Sequence, residues 1–194
     1  MAASSTNEWG HSSELLTEAR LLHAKNVTID GHNDLPWSLK ESCNYVLSKV
    51  DLRQPQGAVL RPELRHQYLH TDIQRLRAGG FSAQFWSVYV PTQLRGANAV
   101  EAKLKQIDSA STAYALFIRK LLSLPPTRQT SAASKSGKIA SLCGAEGGHQ
   151  IAGSLAVLSM YYKVGARDLT LTHHGGPGWA DAALDEARHS FSVK

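Results

Sequence analysis

Apolar positions along the chain switch repeatedly between a helical period and an extended one. From Ser13 the run SELLTEARLLHAK sets Leu15, Ala19 and Leu22 at helical spacing behind a serine suited to N-capping, and VTID then reads as a short strand. A short helix around Ile73 to Arg77 stops at Gly79-Gly80, and FSAQFWSVYV follows with the aromatic and β-branched content of a buried strand. The run NAVEAKLKQIDSASTAYALFIRKLL keeps Val100, Leu104, Ile107, Tyr114, Phe117 and Leu121 on one face, which predicts a long amphipathic helix stopped by Pro125-Pro126. The Ser-rich stretch SLPPTRQTSAASKSG is a polar connector, after which KIASLCGAE reads as a third strand. HQIAGSLAVLSMYYKVGA predicts one helix that buries Ile151, Leu155, Leu158 and Tyr162 and closes at Gly165, and DLTLTH is a fourth strand ending at His173.

Strands that alternate with helices imply βα units, because a parallel crossover needs a dozen or more residues and is normally helical. The fold class is therefore α/β. A length of 194 residues with 42% hydrophobic content suits one core and one domain spanning residues 1–194. The net charge of +5 is scattered, with loose basic density from Arg61 to Arg77 and no aromatic interleaving, which argues against a nucleic-acid partner. No stretch approaches the ~20 apolar residues that span a bilayer, and the first residues, MAASSTNEWGHSSELL, lack a basic segment followed by an apolar one, so no secretory leader or transmembrane segment is expected. Cys43 and Cys143 fit no metal or redox spacing and are expected to be buried or free thiols.

Chemistry gathers where the predicted strands end. His32 and Asp34 follow the first strand, Glu146 and His149 the third, and His173 and His174 the fourth. In parallel α/β folds the carboxyl ends of the strands converge on the active site, and His with carboxylate suits a divalent ion such as zinc. The one-residue gap in His32-Asn33-Asp34 lets both side chains point to one side of an extended segment. The glycines of Gly147-Gly148 would let backbone approach a ligand closely, while His149 reads as a helix-start residue. His11, His23, His66, His70 and His189 are isolated in sequence and read as exposed or core-satisfied imidazoles.

The segments IDGHNDLPW, TDIQRLRAGGFSAQFWSVYVP, KIASLCGAEGGHQIAGSLAVL and ARDLTLTHHGGPGWAD resemble, in order, motifs of the renal or membrane dipeptidase family of zinc-dependent enzymes. The resemblance runs from about Asn26 to Asp181 and weakens across Leu122 to Ser136. It implies a (β/α)8 TIM-type barrel and a site for two zinc ions. His32 and Asp34 match ligands of one ion, Glu146 matches the bridging carboxylate and a catalytic position, and His173 matches a catalytic, substrate-binding histidine. The implied reaction is hydrolysis of a dipeptide by a metal-bridging hydroxide.

The family's other two metal histidines lie on later strands, and a complete barrel typically needs ~250 residues. The expectation is therefore an incomplete barrel of about the first four βα units, with a divergent tail at 182–194 and at most one zinc. Thr92 and Gly175 stand near the places of two cysteines of secreted animal members, so that disulfide is not expected. An open barrel edge and bare inner faces on strands two to four would favour homo-oligomers or aggregation. Two readings follow: a zinc dipeptidase, or an inactive fragment or isoform that at most binds metal or another chain. A third, a deaminase or phosphotriesterase on the same barrel, would more often show His-x-His than His-x-Asp after strand one. Animal members are typically membrane-anchored and extracellular, but no leader or anchor is legible in these residues.

Overall fold

The computed structural model of the chain describes residues 12–55, 69–117 and 139–185. Helix α1 (Ser13–Lys25) starts where Ser12 Oγ accepts the Leu15 N–H at 3.2 Å. Strand β1 (Ile29–Asp30), helix α2 (Leu35–Cys43), helix α3 (Ile73–Ala78) and strand β2 (Ala83–Tyr89) follow. Then come helix α4 (Gly96–Phe117), strand β3 (Ala140–Glu146), helix α5 (Leu155–Lys163) and strand β4 (Ala166–Thr170). The strands form one sheet in the order β1-β2-β3-β4, every neighbouring pair parallel. This is the α/β pattern of part of a barrel. No helix among the described residues is long and apolar enough to cross a membrane.

Alternation along β2 divides the core between the two faces of the sheet. Trp86 packs with Leu35, Leu39 and Cys43 of α2 and with Ala110 and Ala113 of α4, while Val88 packs with Ile107, Cys143, Ile151 and Tyr161. On the opposite face, Phe85 joins Ala83, Ala140 and Leu142 in a separate small cluster. The inner faces are thus less bare than expected, since Ala83, Ala140 and Leu142 are only 0%, 4% and 6% exposed. On β4 the exposed positions, Asp168 and Thr170, are polar. Cys43 and Cys143 are both buried thiols, as expected.

Three expectations need correction. The buried stripe of α4 is Ala99, Lys103, Gln106, Ile107, Ser109, Ala110 and Ala113, whereas Leu104 is 43% exposed. Small side chains let the helix approach the sheet, and that contact rotates the face away from the one the larger apolar residues suggest. Tyr114 and Phe117 lie in a part of α4 whose side chains are outside the described ones, as is all of Leu121. The single helix expected from His149 to Tyr162 is two elements, a 3-10 turn at Gly148–Ile151 and then α5. Ala152 and Gly153 stand between them at φ of 51° and 70°, and Ser154 restarts the helix by accepting the Val157 N–H. As a result Tyr161, not Tyr162, enters the core and donates its hydroxyl to Gln150 O at 2.7 Å, while Leu155 is exposed. Finally β4 ends at Thr170, so His173 belongs to the loop beyond it.

Lys103 is the unusual member of the core. Its ammonium is fully buried and donates to Val88 O, and burial pulls its pKa down to about 7, opposed by Cys143, Glu146 and Asp168. The unfolded chain, with a lysine near 10.5, therefore binds more protons between pH 7 and 10.5, and folding stability rises with pH across that window. Lys103→Met is expected to stabilise the fold most at or below neutral pH. Its advantage over the wild type should shrink by up to ~1.4 kcal/mol per pH unit above that, measured by urea unfolding from pH 6.5 to 10.

Candidate metal centre

The site is assembled from three connections that leave the carboxyl ends of parallel strands. After β1 the chain turns at Gly31, with Asp30 Oδ1 accepting the His32 N–H at 3.1 Å. Asn33 pins this segment: its Nδ2 donates to Thr71 Oγ1 at 3.0 Å, its Oδ1 accepts the Leu35 N–H at 3.0 Å, and its carbonyl accepts the Ser87 N–H at 2.9 Å. With Asn33 turned inward, its neighbours His32 and Asp34 are brought together, 3.2 Å apart at Nε2 and Oδ1. Asp34 is the N-cap residue of α2 but makes no side-chain cap bond, which leaves its carboxylate for the site.

Glu146 comes from the last position of β3 and is 9% exposed. Ser87 Oγ, in a buried position on β2, donates to Oε2 at 2.6 Å. Oε1 faces two imidazoles, with His32 Nε2 at 3.8 Å and His173 Nε2 at 3.4 Å. One ligand atom each from His32, Asp34 and Glu146 lies within 4.8 Å of the others. Ligands on a tetrahedral zinc at ~2.0–2.1 Å stand roughly 3.3 Å from one another, so this donor set and its spacing fit one such ion.

Around the cluster lies a cavity of about 400 Å³ that Trp37, Tyr89, His70, His173 and His174 help to line, together with Asp34 and Glu146. His173 packs against Tyr89 with ring centroids 4.8 Å apart and against His174 at 4.1 Å. Its Nδ1 is buried and has no partner among the described residues. Burial, with help from the carboxylates of Glu146 and Asp34, pushes the Tyr89 phenol above its usual range.

Four sequence expectations are refined here. At Gly148 the close approach is by the protein's own chain: a Cβ there would stand 2.6 Å from Leu171 O and from the Trp179 ring. The glycines instead let the loop after β4 close onto the end of β3, where the Gly147 and Gly148 N–H groups donate to Thr170 O and Leu171 O. His149 is indeed structural, buried in the 3-10 turn with Nε2 3.1 Å from Val90 O, and burial lowers its pKa. His70, read as isolated, lines both this cavity and an adjoining one of about 230 Å³ with His32 and Asp34. His23 stays outside, against Gly79 O at 3.0 Å, while His11, His66 and His189 lie outside the described residues. Sequence reasoning does not find Ser87, since a hydroxyl inside an apolar strand carries no signal of its own.

The family model described as membrane dipeptidase, peptidase family M19, matches residues 16–193. The chain belongs to the membrane dipeptidase family. Among curated members, Dipeptidase 3 of Mus musculus is 40% identical over 167 residues, covering 84% of this chain and 30% of the mouse protein. Dipeptidase 3 of Homo sapiens is 33% identical over 179 residues, covering 92% of this chain and 34% of the human protein. The chain thus spans about a third of the length of these dipeptidases. Among solved structures, the dipeptidase AC, a metallo peptidase of the same family, superposes with a TM-score of 0.59 at 20% identity, over 77% of this chain and 45% of that one. A metallo peptidase from Rhodobacter sphaeroides, liganded with a phosphinate mimic of the dipeptide L-Ala-D-Ala, gives 0.59 at 18% identity, over 77% and 48%. These likenesses confirm the barrel-type α/β fold.

The hydrogen bond from Ser87 fixes the rotamer of Glu146, and removing such a support to a metal-ligating carboxylate typically costs ~10–100-fold in metal affinity. Ser87→Ala is expected to weaken binding of a divalent metal ion at this cluster by that factor and Ser87→Thr to retain it, read by calorimetric titration of the purified chain.

Proposed function

We propose that this site hydrolyses the peptide bond of dipeptides and that its metal is zinc, held by His32, Asp34 and Glu146. The observation that carries the reading is the convergence of those three donors, from the ends of two different strands, beside the imidazole of His173. Membership of the dipeptidase family, and the dipeptide mimic held by the Rhodobacter sphaeroides relative, supply the substrate class. When bound, zinc supplies Lewis acidity and lowers the pKa of a water.

The chain's own groups do the rest. Ser87 holds one oxygen of Glu146, so the other is presented toward His32 and His173. His173, steadied between Tyr89 and His174, offers Nε2 to a substrate carbonyl at the edge of the cluster. A cavity of about 400 Å³ falls in the range that ordinarily encloses a small ligand, and its aromatic wall keeps water from the substrate's flank.

A second reading, metal binding without turnover, is favoured by one observation. The described residues bring together three ligands, enough for one ion, and leave a second ion little beyond a shared Glu146. Metal analysis and a dipeptide assay separate the two. The 194-residue chain is expected to retain about one zinc after dialysis and to lose it in Glu146→Ala, while cleaving Gly-Leu no faster than a chelated control. A protein of the relatives' length that carries this segment is expected to cleave Gly-Leu in a chelator-sensitive manner, abolished by His32→Ala. Two tightly held zinc ions with robust turnover in the short chain would refute the second reading. Absence of any zinc binding in either protein would refute both.

A further inference from the structure

A second cavity of about 400 Å³ lies beside the metal-side one and shares two of its walls, Trp37 and Tyr89. A continuous row of rings joins them. His174 packs on His173 at 4.1 Å, His173 on Tyr89 at 4.8 Å, and Tyr89 meets Trp37 edge-on at 5.0 Å, with Lys40 Nζ 3.9 Å above the Trp37 ring. Beyond Trp37 the wall carries Tyr45, Pro91, Leu94 and Ala102, with Lys105 and Gln106 contributed by α4.

The far wall is built by an uncommon backbone. Asn44 and Tyr45 both take left-handed conformations, at φ of 47° and 61°, which ends α2 and turns Tyr45 toward α4. There Gln106 Nε2 donates to the Tyr45 hydroxyl at 3.1 Å. Gln106 is only 1% exposed, lines the cavity, and its Oε1 has no partner among the described residues. A buried acceptor without a donor marks a place where a ligand donor is wanted. The rim cations are already engaged, Lys40 with Glu41 at 3.0 Å and Lys105 with Glu101 at 2.5 Å, so the cavity is not built for an anion.

We propose that this cavity is a side-chain subsite of the dipeptide site, taking an aromatic side chain with a hydrogen-bond donor, as in tyrosine or tryptophan. The proposal rests on the dipeptide reading above and adds to it a selectivity. The ring would lie along Trp37, Tyr45 and Leu94, and its hydroxyl or indole N–H would reach Gln106 Oε1. Discrimination follows two rules. An apolar pocket distinguishes side chains differing by a methylene roughly 10–200-fold, and a site built around a buried hydrogen bond rejects the analogue that lacks it.

The test uses phosphinate dipeptide mimics, which are not cleaved, titrated calorimetrically into the zinc-loaded chain. The Gly-Gly mimic is compared with mimics carrying phenylalanine or tyrosine at either position. The tyrosyl mimic is expected to bind on the order of a hundredfold more tightly than Gly-Gly and about tenfold more tightly than the phenylalanyl one, the worth of one net neutral hydrogen bond. Gln106→Met should erase the tyrosine-over-phenylalanine gap and keep the phenylalanine-over-glycine gap. Ala102→Phe, on the α4 side of the cavity, should fill it and erase both while leaving Gly-Gly binding and zinc stoichiometry unchanged. If Gln106→Met fails to fold, as a lost zinc equivalent would show, the outcome with Ala102→Phe decides alone. Equal binding of all the mimics, or preferences untouched by Ala102→Phe, would overturn the subsite and leave the dipeptide reading standing. Failure of every mimic to bind the zinc-loaded chain would overturn the subsite, and failure to bind a zinc-loaded protein of the relatives' length as well would overturn the dipeptide reading with it.

Discussion

The register between β2 and β3 determines where everything else in the site stands. Their pairing runs from Ala83 opposite Ala140 to Tyr89 opposite Glu146. It brings the Ser87 hydroxyl to the Glu146 carboxylate and sets Tyr89 at the end of the sheet against the His173 ring. Side chains on a strand alternate between faces, so a slip of one residue would turn Glu146 toward the helices and Cys143 away from them. The apolar pattern prevents that slip: Trp86 and Val88 are committed to the helix side, and Ala83, Ala140 and Leu142 to the other. The hydrophobic core thus acts on the chemistry by fixing which oxygen of one carboxylate faces two imidazoles.

Charge is distributed across the same two strands. Glu146 is almost buried on one side of the sheet, and Lys103 is wholly buried on the other, held by the carbonyl of Val88. Each is costly to desolvate alone, and the Coulomb attraction of Glu146 is among the influences that hold the Lys103 ammonium in its charged form against burial. The sheet is thin enough for the two faces to share an electrostatic environment, although no direct ion pair joins them among the described residues.

The larger plan was legible in the sequence because it rests on periodicity. Alternating strands and helices announced parallel βα units, and His32, Asp34, Glu146 and His173 could be placed at one edge from strand ends alone. What stayed hidden depends on contacts between distant segments. The buried face of α4 includes a lysine and a glutamine because the helix lies close to the sheet, and no scale of side-chain hydrophobicity would choose Lys103 over Leu104. His70 reaches the cavity because the N-cap of α3, where Asp72 accepts the Arg75 N–H, fixes the chain just beside it. The break before α5 follows from two consecutive left-handed residues, one of them the alanine at position 152, a residue type that gives no warning of it.

The glycine at position 148 has a consequence that reaches past its own turn. Its bare α-carbon is the surface on which the Leu171 carbonyl and the Trp179 indole rest, two residues before and six residues after the loop histidine that faces Glu146. That contact works as a latch between the third and fourth strand connections. A single methyl group there would lift the latch and carry the His173 loop away from the carboxylate, with His32, Asp34 and Glu146 themselves unchanged. The geometry of the cluster therefore depends on a backbone position that no inspection of the clustered side chains would single out.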